Sequence, residues 1–156
     1  MGCHMKEKIR TIACAVCKAL GGEVEKITHV PSSGTIDASE MSSILLDKLD
    51  EMGDNQADIH LADINCKVYD REIVQNSLCL EEVSKLKYVV DKHDCDDFAA
   101  DLYGRGIPLL WTNLHAMNWF VDRQTLILWF VEPQTRKLSR QLESWQGWEV
   151  RFFINR

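Results

Sequence analysis

Three runs rich in aromatic and β-branched residues, Ile107 to Asp122, Thr125 to Glu132 and Trp148 to Ile154, constrain the fold of this chain most. Such side chains lose rotamer freedom in a helix and pack well on a pleated surface, so the runs are expected to be strands. Turns at Asp122-Arg123-Gln124 and around Gln134-Thr135 bound the middle run, which suits antiparallel pairing. Leu138 to Trp145, between the last two runs, reads as a short helix. Along the first run, period-two alternation puts His115, Met117 and Trp119 on one face and Leu114, Ala116 and Asn118 on the other.

The front of the chain has the helical period instead. Ile9, Ile12, Ala13, Val16, Cys17 and Leu20 form one apolar stripe between Lys6 and Leu20, closed by Gly21-Gly22. Cys14-x-x-Cys17 lacks a second pair and its Cys17 lies on that stripe, so it is read as core packing. A short strand is expected around Val24 to Val30, then a turn over Pro31 to Thr35. A helix from Ala38 to Met52 is capped by Asp37, partnered by Glu40 and ended by Gly53; its stripe is Met41, Ile44, Leu45, Leu49 and Met52. Asp54, Gln56 and Asp58 alternate like a calcium loop but lack its turn glycine and closing glutamate, which leaves a solvated turn. Ile59 and Leu61, then Ile64, Cys66 and Val68, alternate as half-buried strands, and Arg71 to Leu80 is a further helix. Cys95 opens a helix whose core side is Phe98, Ala99 and Leu102, ended by Gly104 and Gly106. With 156 residues, 46% of them apolar, one core is affordable and two would each be marginal. The expectation is a single α+β domain, a helical N-terminal part packed on a C-terminal antiparallel sheet.

Charge and composition exclude some functions. A net charge of −6 and a pI near 5.3 argue against a nucleic-acid or anionic-membrane surface. No apolar run reaches the roughly 20 residues of a membrane-spanning helix, and no basic-then-apolar leader opens the chain. Six cysteines at scattered positions (3, 14, 17, 66, 79, 95) read as reduced thiols, which points to a cytoplasmic protein. Met1 to Met5 has the pattern of a cloning remnant ahead of a start at Met5. The tryptophans at 111, 119, 129, 145 and 148 are assigned mostly to the core.

Chemistry concentrates in Asp94-Cys95-Asp96-Asp97-Phe98, followed in order by His115 and by Glu132-Pro133-Gln134. A thiol, an imidazole and a carboxylate are the parts of a nucleophile, its general base and the group that orients the base. Asp94, Asp96 and Asp97 disfavour the thiolate that would attack. A hard cation on carboxylates and the Gln134 amide oxygen, or a helix N-terminus under Cys95, would offset them. His93 is a rival base, but a loop position would hold it poorly in register.

The strings Asp94-Cys95-Asp96-Asp97-Phe98-Ala99, Leu114-His115-Ala116-Met117-Asn118 and Glu132-Pro133-Gln134-Thr135 together resemble the protease domain of the fairy-ring mushroom agglutinin and its bacterial and phage relatives. The similarity covers roughly Lys87 to Arg156. It implies a papain-like fold and a calcium-dependent cysteine endopeptidase acting on protein or peptide substrates. By that resemblance Cys95 matches the nucleophile, His115 the base and Glu132 the orienting carboxylate, with Asp97, Gln134 and Asp96 as calcium ligands. The lectin's sugar-binding β-trefoil has no counterpart here. Gly104 to Pro108 is a shorter connection than such relatives carry, which trims a wall of the cleft. The Cys95 N–H, with the His93 side chain or a nearby amide, is the expected oxyanion donor. Two other classes stay open: amide hydrolysis, transglutamination or deamidation by the same triad, and a calcium-stabilised module that binds without turnover.

Overall fold

Helix α1 (Ala38–Met52) forms where its caps require it. Asp37 accepts the Glu40 N–H at 2.8 Å, and Gly53 ends the helix in the left-handed region at φ 72°. Met41, Leu45 and Leu49 are buried, with Ile44 and Met52 packed beside them. The computed structural model describes residues 28–54, 56–80 and 83–155. The expected helix at Lys6–Leu20, its Cys14 and Cys17, and most of the Val24–Val30 strand lie outside the described residues. The part of that strand within them, residues 28–30, is not in a strand.

Strand β1 (Gly34–Asp37) pairs antiparallel with β3 (Asn65–Val68) in a small sheet. The larger sheet orders β2 (Asp58–His60), β8 (Val150–Ile154), β4 (Leu109–Thr112), β5 (Ala116–Val121), β6 (Leu128–Glu132) and β7 (Lys137–Ser139). Every pair in it is antiparallel except β2 with β8, which makes the expected antiparallel sheet mixed at one edge. Helix α1 covers one face, with Met41, Leu45 and Leu49 against Met117, Trp119, Phe130 and Phe153. On the other face α2 (Arg71–Leu80) and α3 (Cys95–Gly104) bring Val74, Leu78 and Leu102 against Phe120 and Val131. Each such side chain contributes about 1.5–3 kcal/mol on full burial. Because both faces are covered, all six residues of β5 are buried.

The α+β class of the sequence reading is the class observed, and four details change. The run from Ile107 to Asp122 is two strands, broken at Asn113-Leu114-His115, where Thr112 N bonds His115 O at 2.9 Å. Leu138–Trp145 is not a helix: Lys137 to Ser139 ladders onto β6, and only Ser144–Gln146 makes a single 3₁₀ turn. Asp54 is buried rather than solvated, because it accepts the backbone N–H groups of Gln56 and Val150. Ile64 is 82% exposed, and of the five tryptophans Trp145 and Trp148 are surface residues. No described helix is long and apolar enough to cross a membrane.

Candidate active site

The turn between β4 and β5 carries His115, and Thr112 ties it down. Its Oγ1 accepts the His115 N–H at 2.9 Å and the Leu114 N–H at 3.2 Å, and it lies 2.5 Å from Gln146 O. Asn113 fastens the turn to the segment after Gln146: its N–H donates to Glu149 O at 2.8 Å, and its Oδ1 accepts from Trp148 N at 3.3 Å. The histidine is therefore fixed by two strands and a loop from 30 residues later.

His115 and Glu132, which the sequence put on neighbouring strands, meet. Nε2 of His115 lies 2.8 Å from Oε2 of Glu132, and both side chains are buried. The same carboxylate is held on two more sides, by Gln146 Nε2 at 3.1 Å on Oε2 and by Gln134 N at 3.3 Å on Oε1. Gln146 is a positioning residue the sequence reading missed; only its tertiary place beside Glu132 marks it. Its own carboxamide is set by the Glu143 N–H, which donates to Oε1 at 2.9 Å. Trp145 lies edge-on against the imidazole, ring centres 5.0 Å apart. With Nε2 engaged, Nδ1 is the ring nitrogen left to exchange a proton, and among the described residues it has no hydrogen-bond partner.

Cys95 is the first residue of α3, half-buried and a free thiol. Asn118 of β5 donates its Nδ2 to Ala99 O in α3 at 3.0 Å and to Ile107 O at 3.2 Å. Between those carbonyls the chain reverses, with Arg105 N and Ile107 N both bonded to Leu102 O, so α3 runs antiparallel to β4 and parallel to β5. Four residues back along the helix from Ala99 cover about 6 Å, and two residues back along β5 from Asn118 about 7 Å. The Cys95 end of α3 and the His115 end of β5 thus share one end of the sheet. The thiol and the imidazole make no hydrogen bond to each other.

The short Gly104–Pro108 connection is backed from behind. Gly106 sits at φ 105° with its Cα against the His29 ring, Val30 N bonds Arg105 O at 2.7 Å, and Tyr69 donates to Gly106 O at 2.5 Å. His93 is on a turn closed by mutual Val89–His93 backbone bonds, its ring against Phe98 and its Nε2 buried without a partner. That ring is committed to packing.

The acidic residues divide unequally. Donor atoms of Asp94, Cys95 and Asp96 lie within 4.8 Å of one another. The interaction between the two carboxyls holds Asp94 below and Asp96 above the ordinary carboxylate value. Asp97 stands outside that group; its Oδ2 accepts the Asp94 N–H at 3.2 Å as a helix cap. The side-chain nitrogen of Gln134 is buried without a partner. An amide's nitrogen and oxygen exchange places by a flip, and turned over Gln134 offers a buried acceptor with no donor. A close carboxyl pair and a spare amide oxygen suit a hard cation better than the soft Cys95 sulfur does.

No protein-family model matches the sequence, and no curated protein matches it either. Solved structures do. The Polyporus squamosus lectin bound to the human-type influenza-binding epitope Neu5Acα2-6Galβ1-4GlcNAc superposes with a TM-score of 0.62 at 20% identity, over 77% of this chain and 49% of that one. The PSL1a–E64 complex gives 0.60 at 20% identity, over 77% and 50%. The chain spans about half the length of these structures, and at this identity what is shared is the fold.

Proposed function

We propose that this chain is a cysteine hydrolase that cleaves peptide bonds, with Cys95 as nucleophile, His115 as general base and then acid, and Glu132 as the group that orients the imidazole. The observation that carries this reading is the buried 2.8 Å His115–Glu132 contact, which engages Nε2 and leaves Nδ1 as the ring nitrogen for proton transfer. Nδ1 takes the thiol proton, the thiolate attacks the carbonyl carbon, and the imidazolium returns the proton to the leaving amine. Water then attacks the thioester carbon, giving up a proton to Nδ1, and the thiol departs with that proton. Glu132 stabilises the imidazolium in each half, and Gln146 with the Gln134 N–H keeps the carboxylate in place. The start of α3 supplies open backbone N–H donors for the oxyanion and a positive dipole end for the thiolate.

Calcium fits the acidic residues beside this site. Asp94 and Asp96 would hold it, with Gln134 as an amide-oxygen ligand; Asp97 keeps a second carboxylate oxygen free beyond its cap. When bound it would supply positive potential next to the thiolate.

A non-catalytic binding module is the second reading. The similar structures favour it by themselves, since one is a lectin bound to a sialylated glycan, and the absent sulfur–imidazole hydrogen bond agrees with it. E64, which binds PSL1a, separates the two as a thiol-alkylating probe. Wild type and Cys95→Ala are treated with E64 and with casein, with and without calcium. Calcium-dependent labelling and cleavage that both vanish in Cys95→Ala support the hydrolase. Neither labelling nor cleavage, alongside binding on a glycan array, replaces it with the module.

A further inference from the structure

The segment that steadies Glu132 also walls a cavity. Between the end of α1 and residues 141–148 lies a hollow of about 300 Å³ with Met52, Leu142 and Trp148 as its apolar lining. Lys48 and Glu51 form its charged edge, and Gly147 its floor beside the histidine turn. We propose that this cavity is a specificity pocket that receives a large apolar side chain of the substrate on the leaving-group side of the scissile bond. The inference rests on the hydrolase reading and adds to it which substrates are chosen.

Three observations place that side chain there. First, the group that protonates the leaving amine stands on the leaving side, so the departing chain runs past His115. Trp145 packs on that imidazole, and two residues later the same segment reaches the cavity as Gly147-Trp148. Second, the cavity lies on the Glu132 side of the sheet: Lys48 caps the Phe130 ring at 5.8 Å, and Phe130 and Glu132 share one face of β6. Third, its charges are already paired. Lys48 bonds Glu51 at 2.9 Å, and Glu143 is held by Lys137 and by the Trp145 N–H, so an occupant brings no charge and gains by covering Trp148, now 66% exposed. A hollow at the small end of ligand-pocket sizes (roughly 300–1,000 Å³) takes one side chain.

A quenched-fluorescent peptide library varied at the first two leaving-side positions tests this with wild type, Trp148→Ala and Met52→Trp, E64 labelling reporting an intact Cys95 in each. Leu or Phe is expected to exceed Gly by about tenfold or more in kcat/KM. Both variants should lose that preference, one by removing a wall and one by filling the hollow, while Gly peptides and E64 labelling stay unchanged. Cleavage without leaving-side preference, a preference for charged residues, or a preference that survives both variants overturns the pocket and leaves the hydrolase standing. No cleavage of any peptide removes the hydrolase reading and this pocket with it.

Discussion

Gly147→Ala is expected to be among the most damaging single-methyl additions in the protein. Gly147 has φ 99° and ψ 170°, a region open essentially to glycine alone, so alanine there costs about 1–3 kcal/mol of backbone strain. Its added Cβ would lie 2.5 Å from Asn113 Oδ1 and 2.7 Å from Thr112 Oγ1, against ordinary contacts beyond 3.4 Å. Both atoms are engaged in holding the His115 turn, so neither swings aside freely, and relieving the overlap costs about another 1–3 kcal/mol. The sum, about 4 kcal/mol, lowers Tm by roughly 10 °C for a chain of this size. Gly53→Ala is the control: its φ is also positive at 72°, but nothing lies within 4 Å of the added carbon. Strain alone should cost it about 1–2 kcal/mol. Thermal melts of both variants and peptide turnover by the folded Gly147→Ala fraction read the effect. Because the clash pushes on the hydroxyl that seats His115, turnover should fall about 100-fold. A Tm loss for Gly147→Ala no larger than that for Gly53→Ala would refute the reasoning, since the turn and the 146–149 segment would then not be locked together.

Glu132→Gln keeps the shape of the carboxylate but removes the charge that supports an imidazolium; kcat should drop by roughly 10³–10⁴, as for a triad stripped of its acid, while E64 binding weakens less. An unchanged kcat would show that His115 needs no partner. Burial raises the Cys66 thiol above its ordinary 9.0, so the folded state holds that proton more tightly than the unfolded one. The stability this gives is whole below pH 9 and is lost as pH rises through the raised value. Urea midpoints should therefore fall at alkaline pH, and a Cys66→Ala variant should show a flatter decline.

Much of the architecture could be read from local signals. Asp37 and Gly53 bracket α1 because capping chemistry is local, and the Cys95 helix follows from Phe98, Ala99 and Leu102 at helical spacing. The His115–Glu132 pairing followed from two strands joined by a short turn. The misreadings share a different cause: the deciding partner is distant in sequence. Asp54 looked solvated because Val150, whose N–H it accepts, lies 96 residues on. Leu138 to Trp145 has helical spacing, but β6 offers Lys137 to Ser139 a ladder, and the Glu143–Gln146 cap shortens what remains to one turn. The break at Asn113-Leu114 carries no glycine or proline, so nothing local announced it. Gln146 was invisible for the same reason, since its role exists only where residues 141–148 fold back onto Glu132.

The acid-flanked thiol is the physical problem on which the hydrolase reading turns. In the structure the three aspartates are not equivalent: their mutual interaction holds Asp94 below and Asp96 above the ordinary carboxylate value, and Asp97 is drawn into the helix cap. A divalent cation held by Asp94 and Asp96 would turn the most repulsive neighbours of Cys95 into ligands and cancel their two negative charges. Such binding must stabilise the fold by mass action, about 2.7 kcal/mol when calcium is at 100 times its Kd, or a Tm rise of roughly 5–10 °C. Asp96→Asn should reduce that rise while leaving the Tm in chelator within about 2 °C of wild type, because the residue is on the first turn and satisfies no core group. Asp101→Asn, on the exposed side of the same helix, should leave the rise intact. If millimolar calcium moves Tm in neither the wild type nor the Asp101 variant, the charge beside Cys95 is balanced by the start of α3 alone, and turnover, where present, must be indifferent to chelator.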